Sequence, residues 1–378
     1  MIADGKGEKL RILHVYKDYF PVLGGIENHV KLLAEHQAAQ GHEVTVLVTS
    51  PGPRTMVEVL NGVQVIKAAR LATVASTPLS LSLPWQLSRQ RPDLTHLHFP
   101  YPVGEMAHYL LGRGWRAVLT YHSDVVRQAN LLRFYAPLMR RLLRRVQRII
   151  VSSPSYLESS AVLREFRYKC QVVPYGIERA RFLAASAEQG LAIRARYGGG
   201  PLILFVGVLR YYKGLHYLLE AMPQIPARLL IVGDGPMRGA LQAQASALRL
   251  GDKVIFAGRV ADEELPAYYR AADVFVLPAS ERSEAFGLVQ LEAMTSGLPV
   301  VSTELGTGTS FVNLHGESGL VVPPKDPVAL AQAINALLGD EPLRRRLGEG
   351  AKARSALFTV ERMLAGIAEV YTQALQMT

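Results

Sequence analysis

A chain of 378 residues, 49% hydrophobic and only 20% charged, is too apolar for disorder and long enough for two domains with sizeable cores. Its single cysteine, Cys170, excludes an intrachain disulfide framework, and no apolar run approaches the roughly 20 residues that span a bilayer. The net charge of +10 is uneven: residues 1 to 174 carry 22 Lys+Arg against 12 Asp+Glu and the remainder is neutral, an asymmetry that marks an anionic partner such as nucleic acid, a membrane surface or a phosphorylated substrate.

The opening MIADGKGEKLRIL, without an apolar signal region, and the lone cysteine together predict a cytosolic protein. Short β-branched runs then alternate with helical stretches. RILHVY, HEVTVLVT, DLTHLHF, RAVLTYH, RIIVSS and CQVVPYG predict strands in the first half. LILFVG, ARLLIVG, KVIFAG, VFVLP, GLPVVST and GLVVPP repeat the rhythm in the second. This pattern is that of an α/β protein with two doubly wound, Rossmann-like parallel sheets, residues 1–174 and 175–360, divided within VVPYGIERARF.

Open parallel sheets bind ligands beyond the carboxyl ends of their strands, so polar and glycine-rich turns there are the candidate sites. Gly24 and Gly25 in GGIEN precede a helix. In THLHF, alternation puts His96 and His98 on one strand face, where buried or edge histidines are commoner than catalytic ones; His122, in TYHSD, stands at a strand's carboxyl end, with Asp124 able to orient it or to cap the next helix. Between Asp124 and Glu158 there is no acidic residue, yet Arg127, Arg133, Arg140, Arg141, Arg144, Arg145 and Arg148 occur. From Leu138 onward Met139, Leu142, Leu143, Val146, Ile149 and Ile150 recur at helical spacing, so segment 127–148 reads as a basic interfacial helix on an anionic membrane or as a core-packing helix with a solvated basic face.

In the second half, LFVGVLRYYKGL ends a strand at Gly207 and sets Arg210 and Lys213 before a helix, where two cations and free backbone N–H groups suit a diphosphate. Gly233 and Gly235 belong to GDGPMRG, whose third glycine comes one residue late for the dinucleotide fingerprint; no Walker-type loop is present. SEAFGLVQLEAM places Glu284 and Glu292 eight residues apart, roughly 12 Å along an axis if both are helical. That is too far for one reaction centre, since paired hydrolytic carboxyls stand about 5 to 9.5 Å apart, but it suits the two ends of a long polar ligand. One capping and one core-edge glutamate is the alternative. No two aspartates lie two positions apart and no Cys/His cluster offers a zinc site, so no metal is expected.

The combination of Gly207, Arg210, Lys213-Gly214, Gly233-Asp234-Gly235-Pro236, Glu284-x-Phe-Gly-x-x-x-x-Glu292-Ala and GLPVVST resembles the retaining glycosyltransferases of family 4, of GT-B fold, with GGIEN and YHSD matching the amino-terminal half. The resemblance implies a nucleotide-diphosphate sugar in a cleft between the domains. Glu284 would accept hydroxyls of the transferred sugar, Glu292 those of the ribose, and Lys213 and Arg210 would neutralise the diphosphate. Gly24 and Gly25 would admit the phosphates, His122 would bond the donor sugar, and Gly207, Gly233, Gly235, Phe286, Gly287 and Leu288 would complete the donor pocket. A helix over 361–378 would return to the first domain. Two positions depart from the family pattern: Val208 stands where many relatives have an arginine, and Tyr175 replaces the usual linker asparagine. The implied reaction is metal-independent transfer, with retention and without a cofactor, to a lipid-linked glycan, in bacterial cell-surface polysaccharide synthesis. GDP-mannose is the favoured donor ahead of UDP-sugars, and no nucleic acid is involved. A sugar-nucleotide epimerase, a two-domain solute-binding protein and a transferase with a soluble acceptor are the competing readings.

Overall fold

The computed structural model describes residues 9–22, 24–74, 77–125 and 129–377. They fall into two compact units: one holds the chain up to Val151, Ser160–Val173 and the residues from Leu364 on, the other Ser152–Ser159 and Pro174–Met363.

In the first unit the strands are β1 (Arg11–Val15), β2 (Glu43–Thr49), β3 (Met56–Leu60), β4 (Val63–Ala68), β5 (Ala72–Val74), β6 (Thr77–Leu79), β7 (Leu94–Phe99), β8 (Arg116–Tyr121), β9 (Arg148–Val151) and β10 (Cys170–Val172). Eight of them form one sheet in the order β10-β9-β8-β7-β1-β2-β4-β3, and β5 pairs with β6 in a separate hairpin. Only β3 runs antiparallel within the large sheet. Its hairpin with β4 was not among the expected strands, although Asn61 and Gly62, both at positive φ, make the tight turn that such a dipeptide between alternating apolar residues signals. Helix Gly25–Ala39 buries His29, Val30, Leu33, Ala34 and Gln37, a single face at helical spacing.

The second unit has six strands, β11 (Leu202–Val206), β12 (Arg228–Val232), β13 (Val254–Gly258), β14 (Val274–Leu277), β15 (Val300–Thr303) and β16 (Gly319–Val322), in the order β13-β12-β11-β14-β15-β16. All pairings are parallel. Strands covered on both faces read as continuous apolar runs, and all five residues of LILFV are buried. The strand order reverses between β1 and β7 in the first unit and between β11 and β14 in the second. These are the points where an open sheet leaves a crevice at its carboxyl edge.

The arginine-rich stretch differs from the interfacial-helix expectation. Its helix, Ala129–Arg145, ends before Ile149 and Ile150, which lie in β9. Met139, Leu142, Leu143 and Val146 are buried in the unit's core, so the apolar face is already covered. Arg140 and Arg144 pair with Glu165 at 2.7 and 3.4 Å, Arg145 donates to the Tyr109 carbonyl, and Arg148 bonds the Gln373 side chain. Arg127 and the side chain of Arg133 lie outside the described residues. Among the described residues no helix is long and apolar enough to cross a membrane.

Candidate active site

In the second unit the switch point gathers the charged candidates. The chain leaves β11 through Gly207 and turns through a 3₁₀ segment, Tyr211–Lys213, into helix Leu215–Ala221. Lys213 is buried, and its Nζ stands 2.6 Å from Oε2 of Glu284, which is equally buried in the loop after the neighbouring strand β14. Burial works against the ammonium, but the charge of Glu284, then that of Tyr212, outweighs it and holds the Lys213 pKa above the ordinary lysine value. The Glu284 loop is fixed on both sides: Thr307 Oγ1 donates to the Glu284 carbonyl at 2.8 Å, and Gly308 N donates to the Ala285 carbonyl at 2.7 Å. Beside it the Tyr175 ring packs edge-on against Phe286, with centroids 5.0 Å apart, so the unusual linker residue helps to seat this loop.

Glycine is required at two of these turns. At Gly233, with φ +130°, a Cβ would stand 2.0 Å from the Gly207 carbonyl oxygen; at Gly287, with φ +78°, it would meet Gln290 at 2.6 Å and Leu277 at 2.8 Å. The first lets the ends of β11 and β12 approach, and the second lets helix Leu288–Thr295 start directly beneath Glu284. Gly235 packs in the same way against Leu209. Glu292 is on that helix and Glu284 is not, so the two glutamates do not share one helix axis. The Tyr269 hydroxyl donates to Glu292 Oε2 at 2.6 Å, and burial pushes the Glu292 carboxyl up to about 7 against the opposing pull of that hydrogen bond and of Arg181. Arg210 is exposed at the mouth of the turn. Lys213, with Glu292 among the charges acting on it, is therefore the anchored cation of the pair.

In the first unit, Gly24 and Gly25 begin helix Gly25–Ala39. A Cβ at Gly25 would meet nothing within 4 Å, and one at Gly24 only the flexible end of Glu27, so packing does not demand glycine there and the turn presents open backbone. His122 follows β8 and is buried, its Nε2 3.0 Å from His98 Nδ1. Register places His14 beside His96 and His98 beside Thr120, all on one face of the sheet. His98 Nε2 lies 3.0 Å from His14 Nδ1, and His14 Nε2 lies 2.7 Å from Gln37 Oε1. Desolvation takes His14 down to about 4 and holds His96, His98 and His122 well below the ordinary histidine value.

The sequence reading found no Cys/His cluster, but the fold brings ligand atoms of His14, His96 and His98 within 4.8 Å of one another. The His96 and His98 rings stack, with centroids 4.3 Å apart and planes at 21°, and in-plane lone pairs of stacked rings do not converge on one point. Both ring nitrogens of each of the three histidines are engaged in hydrogen bonds within the protein. Sequence reasoning missed Gln37, His14, Tyr371, Tyr269 and Arg181. Each is an ordinary residue on a helix or strand whose role appears only when a distant element is folded against it. The one local signal was the presence of histidines inside otherwise apolar strands.

The chain matches the family model described as "Glycosyltransferase Family 4" over residues 23–181 and that described as "Glycosyl transferases group 1" over residues 189–354. It is 42% identical over 355 residues to the D-rhamnosyltransferase WbpZ of Pseudomonas aeruginosa, covering 93% of this chain and 92% of that one. To the O-antigen chain mannosyltransferase C of Escherichia coli it is 37% identical over 371 residues, covering 97% and 99%. Among solved structures, sucrose-phosphate synthase from Thermosynechococcus elongatus superposes with a TM-score of 0.82 at 26% identity, covering 97% of this chain and 99% of that one.

Proposed function

This chain belongs to glycosyltransferase family 4, and we propose that it moves a sugar from a nucleotide-diphosphate donor to a hydroxyl of a lipid-linked glycan, with retention and without a metal ion, in the assembly of an O-antigen-type polysaccharide. The two relatives are named for D-rhamnose and mannose; D-rhamnose is 6-deoxy-D-mannose, so these names support a sugar of manno configuration, and the donor proposed to carry it is its GDP derivative. The observation that carries the reading is the buried Lys213–Glu284 pair at the switch point of the second sheet.

Breaking the anomeric bond develops negative charge on the leaving diphosphate and positive charge on the sugar. An ammonium has three donors, so Lys213 can keep Glu284 and still meet a phosphate oxygen, while exposed Arg210 closes on the diphosphate from solvent. Glu284 accepts hydroxyls of the transferred sugar and Glu292 those of the ribose. Within the first unit, the open backbone at Gly24 and Gly25 is the candidate for binding phosphate and His122 the candidate for binding a sugar hydroxyl. The departing phosphate oxygen takes the proton of the acceptor hydroxyl as that hydroxyl attacks the same face of the sugar, which retains the α configuration. Such an enzyme works on the cytoplasmic side of the membrane, and the arginine face around Arg141 adds a salt-dependent attraction to an anionic leaflet.

The test is transfer of labelled mannose from GDP-mannose to a lipid-linked O-antigen primer in the presence of a chelator, with UDP-glucose as the competing donor. Label in the lipid fraction with α linkage is expected. Conversion of the donor without an acceptor would make the protein an epimerase, transfer to soluble glycan alone would replace the lipid acceptor, and dependence on added Mg²⁺ or Mn²⁺ would remove the metal-free account.

A further inference from the structure

Four buried imidazoles of the first unit, His14, His96, His98 and His122, lie on one continuous hydrogen-bonded line with Gln37 at its centre. Gln37 Nε2 donates to Tyr371 Oη at 3.1 Å, and Gln37 Oε1 lies 2.7 Å from His14 Nε2. An amide oxygen only accepts, so His14 donates from Nε2. A neutral imidazole carries one N–H, which leaves His14 Nδ1 to accept from His98 Nε2–H at 3.0 Å, and His98 Nδ1 to accept from His122 Nε2–H at 3.0 Å. On the other arm the Tyr371 hydroxyl, already accepting from Gln37, donates to His96 Nδ1 at 2.7 Å, and His96 Nε2–H donates to Thr120 Oγ1 at 2.6 Å.

We infer that Gln37 sets the tautomer of His122 through this line, committing its Nε2–H inward and leaving Nδ1 as the ring's acceptor. The opposite turn of the Gln37 amide would reverse every proton in both arms. His122 would then be a donor through Nδ1–H. Neutrality, on which the deduction depends, is enforced by burial: Gln37, His14, His98 and His122 are all at most 4% exposed. Protonating one ring would also cost it an acceptor that its neighbour uses. Gln37 is thus a positioning residue. That the Nδ1 acceptor meets a hydroxyl of the donor sugar rests on the proposed function above, whereas the tautomer itself does not.

Long-range ¹H–¹⁵N correlation spectra of the full chain labelled at histidine test the assignment at neutral pH without any substrate. Pyrrole-type Nε2 and pyridine-type Nδ1 are expected for His14, His96, His98 and His122. Gln37→Glu supplies only acceptors, so it should keep the tautomers of His14, His98 and His122 but reverse that of His96, a selective change that loosened packing would not produce. In turnover, Gln37→Leu should lower kcat about tenfold with GDP binding unchanged, and Gln37→Glu should restore most of it. Nδ1–H at His122, an imidazolium there, or stoichiometric metal bound to the purified chain would overturn the inference. The wild-type spectrum decides the question even where neither variant folds, and a confirmed tautomer with no transferase activity would sink the functional reading alone.

Discussion

The two units share a winding pattern and meet the same problem, polar groups at the carboxyl edge of a buried sheet, in opposite ways. The second unit holds charge there: Lys213 and Glu284 are buried as an ion pair, and Glu292 is tied to Tyr269 nearby. Each such charge is stable only because a partner is within hydrogen-bond reach. The first unit instead joins four buried histidines, His14, His96, His98 and His122, to one another and to Gln37, Tyr371 and Thr120 by hydrogen bonds. One unit thereby presents buried charge at its sheet edge and the other a chain of neutral hydrogen-bonding groups.

Acid should separate the units most strongly. Six histidines of the first unit, His14, His29, His96, His98, His108 and His122, are held below their ordinary value chiefly by burial, to about 4 for His14 and His108 and about 3 for His29. Unfolded, each takes a proton near pH 6.5 while the folded form does not, so stability is lost as pH falls from about 6.5 towards 4, at about 1.4 kcal/mol per pH unit for each histidine. Glu105, raised by burial to about 8, opposes this as a single group. In the second unit Glu292, raised to about 7, works the other way, because its protonated form is the better-folded one and its contribution is lost as pH rises through 7. Hydrogen exchange corrected for intrinsic rate should show β1, β7 and β8 losing protection between pH 6.5 and 4.5 while β11 and β14 keep theirs. Simultaneous loss would erase the contrast.

Next in size is Glu284→Gln, which should reduce turnover by about 10² or more with nucleotide binding intact, since the interaction lost is with the reacting sugar. Near-normal turnover in a folded variant would remove Glu284 from the site. A smaller effect is expected at Glu292: if its carboxylate accepts the ribose hydroxyls, the donor KM should fall several-fold as pH rises from 6 to 8, and Glu292→Gln should flatten that profile. Smallest is the arginine face. Changing both Arg140 and Arg144 to glutamine should cost at most about 1 kcal/mol of stability, because both are surface partners of Glu165, and should only weaken sedimentation with anionic vesicles at low salt. Unchanged sedimentation would leave that helix as ordinary structure.

Much of the second unit was legible because its chemistry is local. A strand, a turn with Lys213 and a helix follow one another within a dozen residues, as do Glu284, Phe286, Gly287 and Glu292, and the sheet order merely sets the two runs side by side. The twelve expected strands form β1, β2 and β7 to β16, because short β-branched and apolar runs mark parallel strands. What was not legible is non-local. Gln37 and Tyr371 are 334 residues apart, and neither carries any mark of the other; nor could periodicity show that the helix of Leu142 and Leu143 would bury its apolar side in the core. The missed β3–β4 hairpin is different, because Asn61-Gly62 announced it.

The central claim is that the second unit's buried cation holds the donor's diphosphate, and calorimetric titration of GDP into wild type and Lys213→Ala in a chelating buffer tests it most directly. The variant should bind GDP more weakly by about 1.5 to 3 kcal/mol, the range for a charged hydrogen bond, with its folded fraction confirmed by exchange protection of β11 and β14. Equal affinity in the folded variant, or wild-type binding that appears only on adding a divalent ion, would contradict it.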